Sequence, residues 1–390
     1  TRKESSAASD VYKRQVSTSV VLVATGLDVP PYAVSNQVLV DSFNTYVRNY
    51  NKAHEQEIEK GILSPKRESD EEFIVKVSGI KSRYFYAPEG ILDPLRMKPI
   101  IPARPENQLS FQAEKGMIAA KRAMAEAKVG PEDIDLVILA CSNMQRPYPA
   151  VAVEIQHSLA IEGAAFDMNV ACSSATFGIA HATDAIRTGR SKGALVISVE
   201  ICSAHLNFRD RDSHFIFGDA TTAVVLQRGE LTRDRHQGFE IEDARLFTQF
   251  SNAIRNDFGF LNRADPENKD DGSKLFRQQG RKVFKEVCPA VIRHIGGQLA
   301  ELSITPQSIK RFWLHQANSS MNELVARKLL GRPATEKEAP IILDEFANTS
   351  SAGCIIALNR HHQDLEEGDL GVLSSFGAGY SIGSVLLRKR

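Results

Sequence analysis

The chain repeats itself, and no other feature limits its possible folds as strongly. Pro131 is followed by Ile134 and the apolar run Val137–Leu139; Pro306 is followed by Ile309 and the run Phe312–Leu314, an offset of 306 − 131 = 175. Cys172-Ser-Ser-Ala175 matches Asn348-Thr-Ser-Ser351 at 348 − 172 = 176, and Leu195–Ile197 matches Gly371–Leu373 at the same 371 − 195 = 176. Ala223–Leu226 and Ser384–Leu387 then read as closing strands. Four matches in one order argue for duplication. They predict two similar halves, residues 20–230 and 238–390, each running strand, helix, strand, helix, strand, strand. Alternating strands and helices point to an α/β architecture, and the near-continuous apolar strands predict sheets covered on both faces.

Some segments stand outside the repeat. Residues 1–19 are polar with mixed charge and lack the apolar core of a signal peptide, so they are expected to be a disordered or non-native tail. Residues 46–72 read as a charged insertion, an exposed helix followed by a loop. Residues 87–107 hold five prolines, Pro88, Pro94, Pro99, Pro102 and Pro105, which preclude a regular helix. This second insertion is consistent with a cover over part of a substrate entrance, and equally with a surface loop. Gln108–Lys128 reads as a helix, with Ala113, Met117, Ala120, Met124 and Ala127 at helical spacing. Their small size suits a closely packed, central helix.

Composition excludes several functions. With 48 basic and 48 acidic side chains the formal net charge is zero, which offers neither a nucleic-acid footprint nor a polybasic membrane anchor. No apolar run approaches the roughly 20 residues of a membrane span. The five cysteines are odd in number and scattered, which fits a reducing, cytoplasmic setting better than a disulfide framework. No clustered Cys or His spacing suggests a metal.

Among the residues able to do chemistry, Cys172 follows a strand-like run and precedes Ser173, Ser174 and Ala175. That places it at a strand-to-helix turn, where a helix N-terminus is expected to lower a thiol pKa and favour thiolate. A buried free cysteine is also a common packing residue. His315 ends the run Phe312–Leu314; alone it is more often a structural or surface residue than a catalytic one. Asn348 alone reads as a helix N-cap. The repeat joins the three, because equivalent points of two halves packed about a pseudo-twofold meet. Gly377, Ala378 and Gly379 form a small-residue loop that lets backbone N–H groups approach a ligand. Gly218, Asp219 and Ala220 read as a structural turn.

Together these motifs resemble those of the β-ketoacyl-acyl carrier protein synthase III enzymes, within the thiolase-like superfamily. The resemblance is carried by Asp167-Met-Asn-Val-Ala-Cys172, Phe217-Gly-Asp-Ala220, His315-Gln-Ala-Asn318, Asn348-Thr-Ser-Ser351 and Phe376-Gly-Ala-Gly379, in that order over nearly the whole chain. It implies a thiolase-like five-layered αβαβα fold and a homodimer. In the implied mechanism Cys172 is acylated by an acyl-CoA or acyl-ACP primer. The N–H groups of Cys172 and Ala378 form the oxyanion hole, and His315 and Asn348 promote decarboxylation of malonyl-ACP. Phe73, Arg83, Asn318, Gly377 and Gly379 are the implied substrate-binding residues. No metal or redox cofactor is implied; phosphopantetheine arrives on CoA or on acyl carrier protein.

The sequence departs from this pattern at the family's grip on CoA adenine, a tryptophan and an arginine. Phe73 stands for the tryptophan and Ala204 is the best match for the arginine. Ser320 replaces a further arginine that helps dock carrier protein. An altered primer grip is therefore expected, with the insertions at 46–72 and 87–107 as sources of replacement contacts. Three rival readings accompany condensation: acyl transfer to a small-molecule acceptor, thioester hydrolysis, and a non-catalytic scaffold on the same fold.

Overall fold

The computed structural model describes residues 18–232, 237–267, 272 and 274–390. The expected tail lies outside these residues up to position 17, as do residues 233–236 of the junction between the halves. Ser19 is already part of the folded body, its carbonyl accepting from Gly229 N at 2.8 Å.

Thirteen strands are described, in chain order β1 (Val20–Asp28), β2 (Tyr32–Ser35), β3 (Ser82–Phe85), β4 (Leu136–Ala140), β5 (Ala164–Met168), β6 (Gly193–Glu200) and β7 (Ala220–Arg228). They continue with β8 (Phe239–Ser251), β9 (Ile254–Arg255), β10 (Arg277–Gln278), β11 (Ile309–Leu314), β12 (Leu370–Gly377) and β13 (Gly379–Lys389). Nine are hydrogen-bonded in the order β11-β12-β13-β8-β1-β7-β6-β4-β5. The repeat is visible in the pairing. β4 is parallel to β6, which is antiparallel to β7, which is antiparallel to β1. In the same way β11 is parallel to β12, β12 antiparallel to β13, and β13 antiparallel to β8. The two sets meet through the short β1–β8 pairing, Val21 to Glu240 and Leu22 to Phe239.

The match fails at one place. The second half has no described counterpart of β5; a one-turn helix, Leu343–Phe346, stands there instead. The Gln316 side chain supplies what a ladder would. Its Oε1 accepts from Ile342 N (3.0 Å) and its Nε2 donates to Pro340 O (3.3 Å).

Layering follows from which faces are apolar. The helices Ser174–Arg187 and Ala352–Arg360 are buried nearly all round and pack on strands of both sets. A helix apolar on every side belongs at the centre of a layered protein. One continuous core surrounds this pair, from Val20, Ile138 and Val196 to Trp313, Leu373 and Val385. A second core lies under the helices Phe111–Ala127 and Val151–Ser158, and a third under Gly280–Glu301 and Ser319–Leu330. The sequence of layers is helix, sheet, helix, sheet, helix. Phe111–Ala127 is therefore an outer helix, not the central one expected from its small residues. Those residues serve close approach to β1: a Cβ on Gly26 would lie 2.2 Å from Ala119 O.

A fourth core, around Phe43, Ile74, Phe85, Phe208 and Phe217, caps one end of the sheets. It carries the segments outside the repeat. The first insertion forms the end of helix Asn36–Ala53, a short helix Glu55–Glu59, a loop, and the start of Glu71–Ser78. The proline-rich segment is an ordered loop with one turn of helix, Glu89–Leu92. No helix among the described residues is long and apolar enough to cross a membrane.

Candidate active site

Cys172 lies two residues before helix Ser174–Arg187, at the end of the connection from β5. Asn348 occupies the matching connection before Ala352–Arg360, and His315 follows β11 directly. The residue preceding each of the first two is left-handed: Ala171 at φ 48° and Ala347 at φ 54°. Non-glycine residues seldom adopt this geometry, and it recurs where a turn must present a side chain. All three side chains open into one cavity of about 550 Å³.

Further contacts fix each residue. Asn348 is pinned to the Phe217-Gly218 turn, its N–H donating to Ile216 O (3.0 Å) and its carbonyl accepting from Gly218 N (3.1 Å). Its side-chain Oδ1 accepts from Ser350 N at 2.8 Å. The turn is anchored in its own right by the buried Asp219, which accepts from Ser203 N and Oγ (both 2.8 Å) and from Tyr86 N (3.2 Å). The expected structural turn thus holds a site residue in place. His315 is 2% exposed and packs edge-on against Phe376, with ring centroids 5.2 Å apart.

Gly377 ends β12 against the nucleophile. A Cβ there would sit 2.6 Å from Cys172 Cβ and 3.0 Å from Sγ. No larger residue leaves room for the loop that carries Ala378. The backbone N–H groups of Ala378 and of Cys172 both favour negative charge on the sulfur.

Burial sets the protonation states. It pushes the Cys172 thiol up to about 11, partly offset by the neighbouring Ser350 side chain and the two backbone amides, while the nearby Glu200 adds to the rise. The helix N-terminus was expected to lower this thiol; desolvation of the thiolate outweighs it. Burial also pushes His315 down to about 4, against a backbone hydrogen bond with Ser350. The imidazole is thus neutral at physiological pH.

Among the expected binding residues, Asn318 lines the cavity; its Oδ1 caps the following helix at Met321 N (3.3 Å) and its Nδ2 donates to Val77 O (2.7 Å). Gly379 lines a separate shallow pocket with Ala171, Ala378 and Tyr380. Arg83 does not reach the cavity. It is fully buried and bonds to Val34 O (3.3 Å), Asn36 Oδ1 (2.8 Å) and Phe215 O (3.2 Å), so its role is to tie the cap to the sheet. Phe73 lies outside the cavity wall and meets it edge-on through Phe215, with centroids 5.8 Å apart.

The arginine beside Phe73 is Arg211, not Ala204 as matched by sequence. Its guanidinium sits 4.0 Å over the Phe73 ring, while Ala204 faces a different cavity. Motif spacing alone could not reveal this pairing, because it depends on how the cap folds. Residues 46–72 and 87–107 contribute nothing to the cavity wall, so the proline-rich loop is no cover for it. The wall is closed instead by Phe215–Phe217, Phe276 and Gly280–Val287.

Sequence reasoning also missed two groups beneath the site. Ser350 is left-handed at φ 49°, and among the described residues its buried hydroxyl has no hydrogen-bond partner of its own beside Cys172. Glu200, fully buried, joins the two halves: it accepts from Ser142 Oγ (2.5 Å) and N (3.0 Å) and from the Ser351 hydroxyl. A carboxylate ending the apolar run Leu195–Val199 was the available signal for it.

Comparison with known proteins identifies the family. A family model described as 3-oxoacyl-[acyl-carrier-protein (ACP)] synthase III matches residues 166–246, and one for the C-terminal part of the same family matches 299–389. A beta-ketodecanoyl-[acyl-carrier-protein] synthase from Pseudomonas aeruginosa is 58% identical over 350 residues, 90% of this chain and 100% of the relative. A beta-ketoacyl-[acyl-carrier-protein] synthase III from Chelativorans sp. is 32% identical, over 84% of this chain and 93% of that one. Two crystal structures share the fold. The 3-oxoacyl-[acyl-carrier-protein] synthase III of Aquifex aeolicus has a TM-score of 0.72 at 24% identity, covering 95% and 99% of the two chains. The priming beta-ketosynthase of the R1128 polyketide pathway has a TM-score of 0.74 at 22% identity, covering 95% and 96%. The chain belongs to the 3-oxoacyl-[acyl-carrier-protein] synthase III family of condensing acyltransferases, on a thiolase-like fold.

Proposed function

We propose that Cys172 is the acyl-carrying nucleophile, that His315 and Asn348 drive decarboxylation, and that the primer is a medium-chain acyl group. The observation that carries this reading is the convergence of the three side chains in one cavity, with Gly377 packed against the sulfur.

The steps follow from the protonation states. The Cys172 thiol is protonated at rest and attacks the primer's thioester carbonyl; its proton leaves with the departing thiol. The oxyanion forms between the N–H groups of Cys172 and Ala378, both of which favour negative charge at the sulfur. Malonyl-ACP then places its thioester carbonyl between neutral His315 and the Asn348 Nδ2 amide. Both donate to the oxygen as CO₂ leaves, which stabilises the enolate. The enolate carbon attacks the acyl-Cys172 carbonyl, the carbon–sulfur bond breaks, the released Cys172 thiolate takes a proton from water, and the ketoacyl product departs on the carrier. A neutral imidazole suits this role, since a donor is needed and no base is.

The 58% identical relative, whose name specifies a ketodecanoyl product, supports the primer length. Condensation adds the two carbons malonyl retains after losing CO₂, so a ten-carbon product requires an eight-carbon primer. The apolar wall of Phe217, Phe276, Phe284, Val287 and Phe376 suits such a chain. We also propose a homodimer. β5 is paired only to β4 in the nine-stranded sheet, and Phe166 on it is 39% exposed, an edge that a second copy would cover.

Intact mass after mixing with octanoyl-CoA, then malonyl-ACP, tests the chemistry. An octanoyl adduct on the wild type that Cys172→Ala lacks, discharged as 3-ketodecanoyl-ACP, is expected. Free octanoate without ketoacyl product would favour hydrolysis; an adduct surviving Cys172→Ala would remove the nucleophile assignment.

A further inference from the structure

A second cavity, of about 400 Å³, lies beyond the cap. Its described wall carries four cations, Lys66, Arg96, Lys98 and Arg209, and no carboxylate. The two segments outside the repeat meet here: Lys66 comes from the first insertion, Arg96 and Lys98 from the proline-rich loop. The proline-rich loop, equally a cover or a surface insertion from sequence, helps build this cavity.

The contacts that place two of these cations orient their charge without cancelling it. Arg209 donates to the carbonyls of Leu95 (3.1 Å) and Arg96 (3.3 Å) and lies 5.5 Å over the Tyr46 ring. The Lys66 ammonium sits 4.7 Å over Tyr50 and 5.7 Å over Tyr46. Gathering like charges in one concavity is unfavourable unless an anion joins them. The cavity also neighbours the active site through shared wall residues. A smaller pocket holding Arg67 and Arg211 shares Lys66 and Arg209 with it, and shares Asp212 with the catalytic cavity.

We propose that this basic cavity is a binding site for the nucleotide phosphates of a CoA thioester whose acyl end lies at Cys172. The inference rests on the primer reading above. A phosphate monoester carries about −1.5 to −2 at neutral pH, and a diphosphate adds to it. Four cations match that density; a carrier protein's pantetheine bears a single phosphodiester. Arginine forks and lysine points together suit several phosphate oxygens at different angles.

The test compares octanoyl-CoA with octanoyl-pantetheine, which bears the same thioester and no phosphate. Octanoyl-ACP is the third donor, and acylation of Cys172 is followed by intact mass. The variant is Arg96→Ala/Lys98→Ala, at two exposed side chains. The selectivity for octanoyl-CoA over octanoyl-pantetheine should fall by about tenfold or more, through KM. Lys66→Ala, measured separately, should lower the same ratio. An unchanged ratio, or a loss confined to octanoyl-ACP, would overturn the proposal. If the wild type is acylated by none of the three donors, the reading of the active site fails; if it is acylated and the ratio does not move, only the phosphate site fails.

Discussion

Replacing Gly377 with alanine puts a methyl group where the nucleophile already sits. The added Cβ would lie 2.6 Å from Cys172 Cβ and 3.0 Å from its Sγ. Carbon atoms in contact sit about 3.5–4.0 Å apart, so the overlap is roughly 1 Å. Neither side yields easily. Gly377 pairs with Ser381 in the β12–β13 hairpin, and Cys172 leads into the buried central helix. The loop must then move away from the sulfur and carry the Ala378 N–H with it. Overpacking of this kind costs about 1–3 kcal/mol of stability, and loss of one oxyanion donor lowers the rate by about 10²–10³. Gly377→Ala should therefore lose about that factor in single-turnover acylation by octanoyl-CoA, followed by intact mass, while remaining folded by circular dichroism. Acylation within about threefold of wild type would show that Ala378 does not hold the oxyanion.

Other consequences can be measured on the same protein. Asn348→Asp replaces the amide donor with a carboxylate, so release of CO₂ from malonyl-ACP should fall by about 10²–10³ while Cys172 acylation changes little; a parallel loss of both would mean that Asn348 acts on the nucleophile. Stability should depend on pH through three buried histidines, His205, His214 and His315, each pushed down to about 4 by burial. Their folded values lie below the unfolded value near 6.5, so the unfolded chain binds more protons and stability falls as pH drops from about 6.5 towards 4. Each contributes up to about 1.4 kcal/mol per pH unit in that window. Asp219, raised to about 6 by burial, acts in the opposite direction as a single group, and Glu200, also raised, adds to it. A melting temperature that stays level or rises between pH 7 and pH 5 would contradict this balance. Phe166→Glu should convert a dimer into a monomer in light scattering; an unchanged mass would place the interface elsewhere.

Much of the fold and the heart of the site were legible in the linear chain. Strands and helices announce themselves by local periodicity, and the offset of about 175 turned two unremarkable residues, His315 and Asn348, into companions of Cys172. A repeat predicts convergence because two copies of one topology, packed together, bring equivalent strand ends to a common point. β4-β6-β7-β1 and β11-β12-β13-β8 are that topology.

Tertiary structure alone decided what depends on contacts across long stretches of chain. Arg83 and Phe73 looked alike as binding residues until one proved buried against Asn36 and Phe215 and the other stacked under Arg211. Thiol acidity went against the local cue, because desolvation is a property of the whole surrounding volume and the helix end is only one part of it. The insertions had no counterpart in the repeat to say where they lie; folding carried them past the catalytic cavity to enclose a basic one. Sequence sets a residue's chemistry and its local conformation. Which dielectric, which charge and which neighbour it meets are set by chain segments far away, and pattern along the chain does not encode those distances.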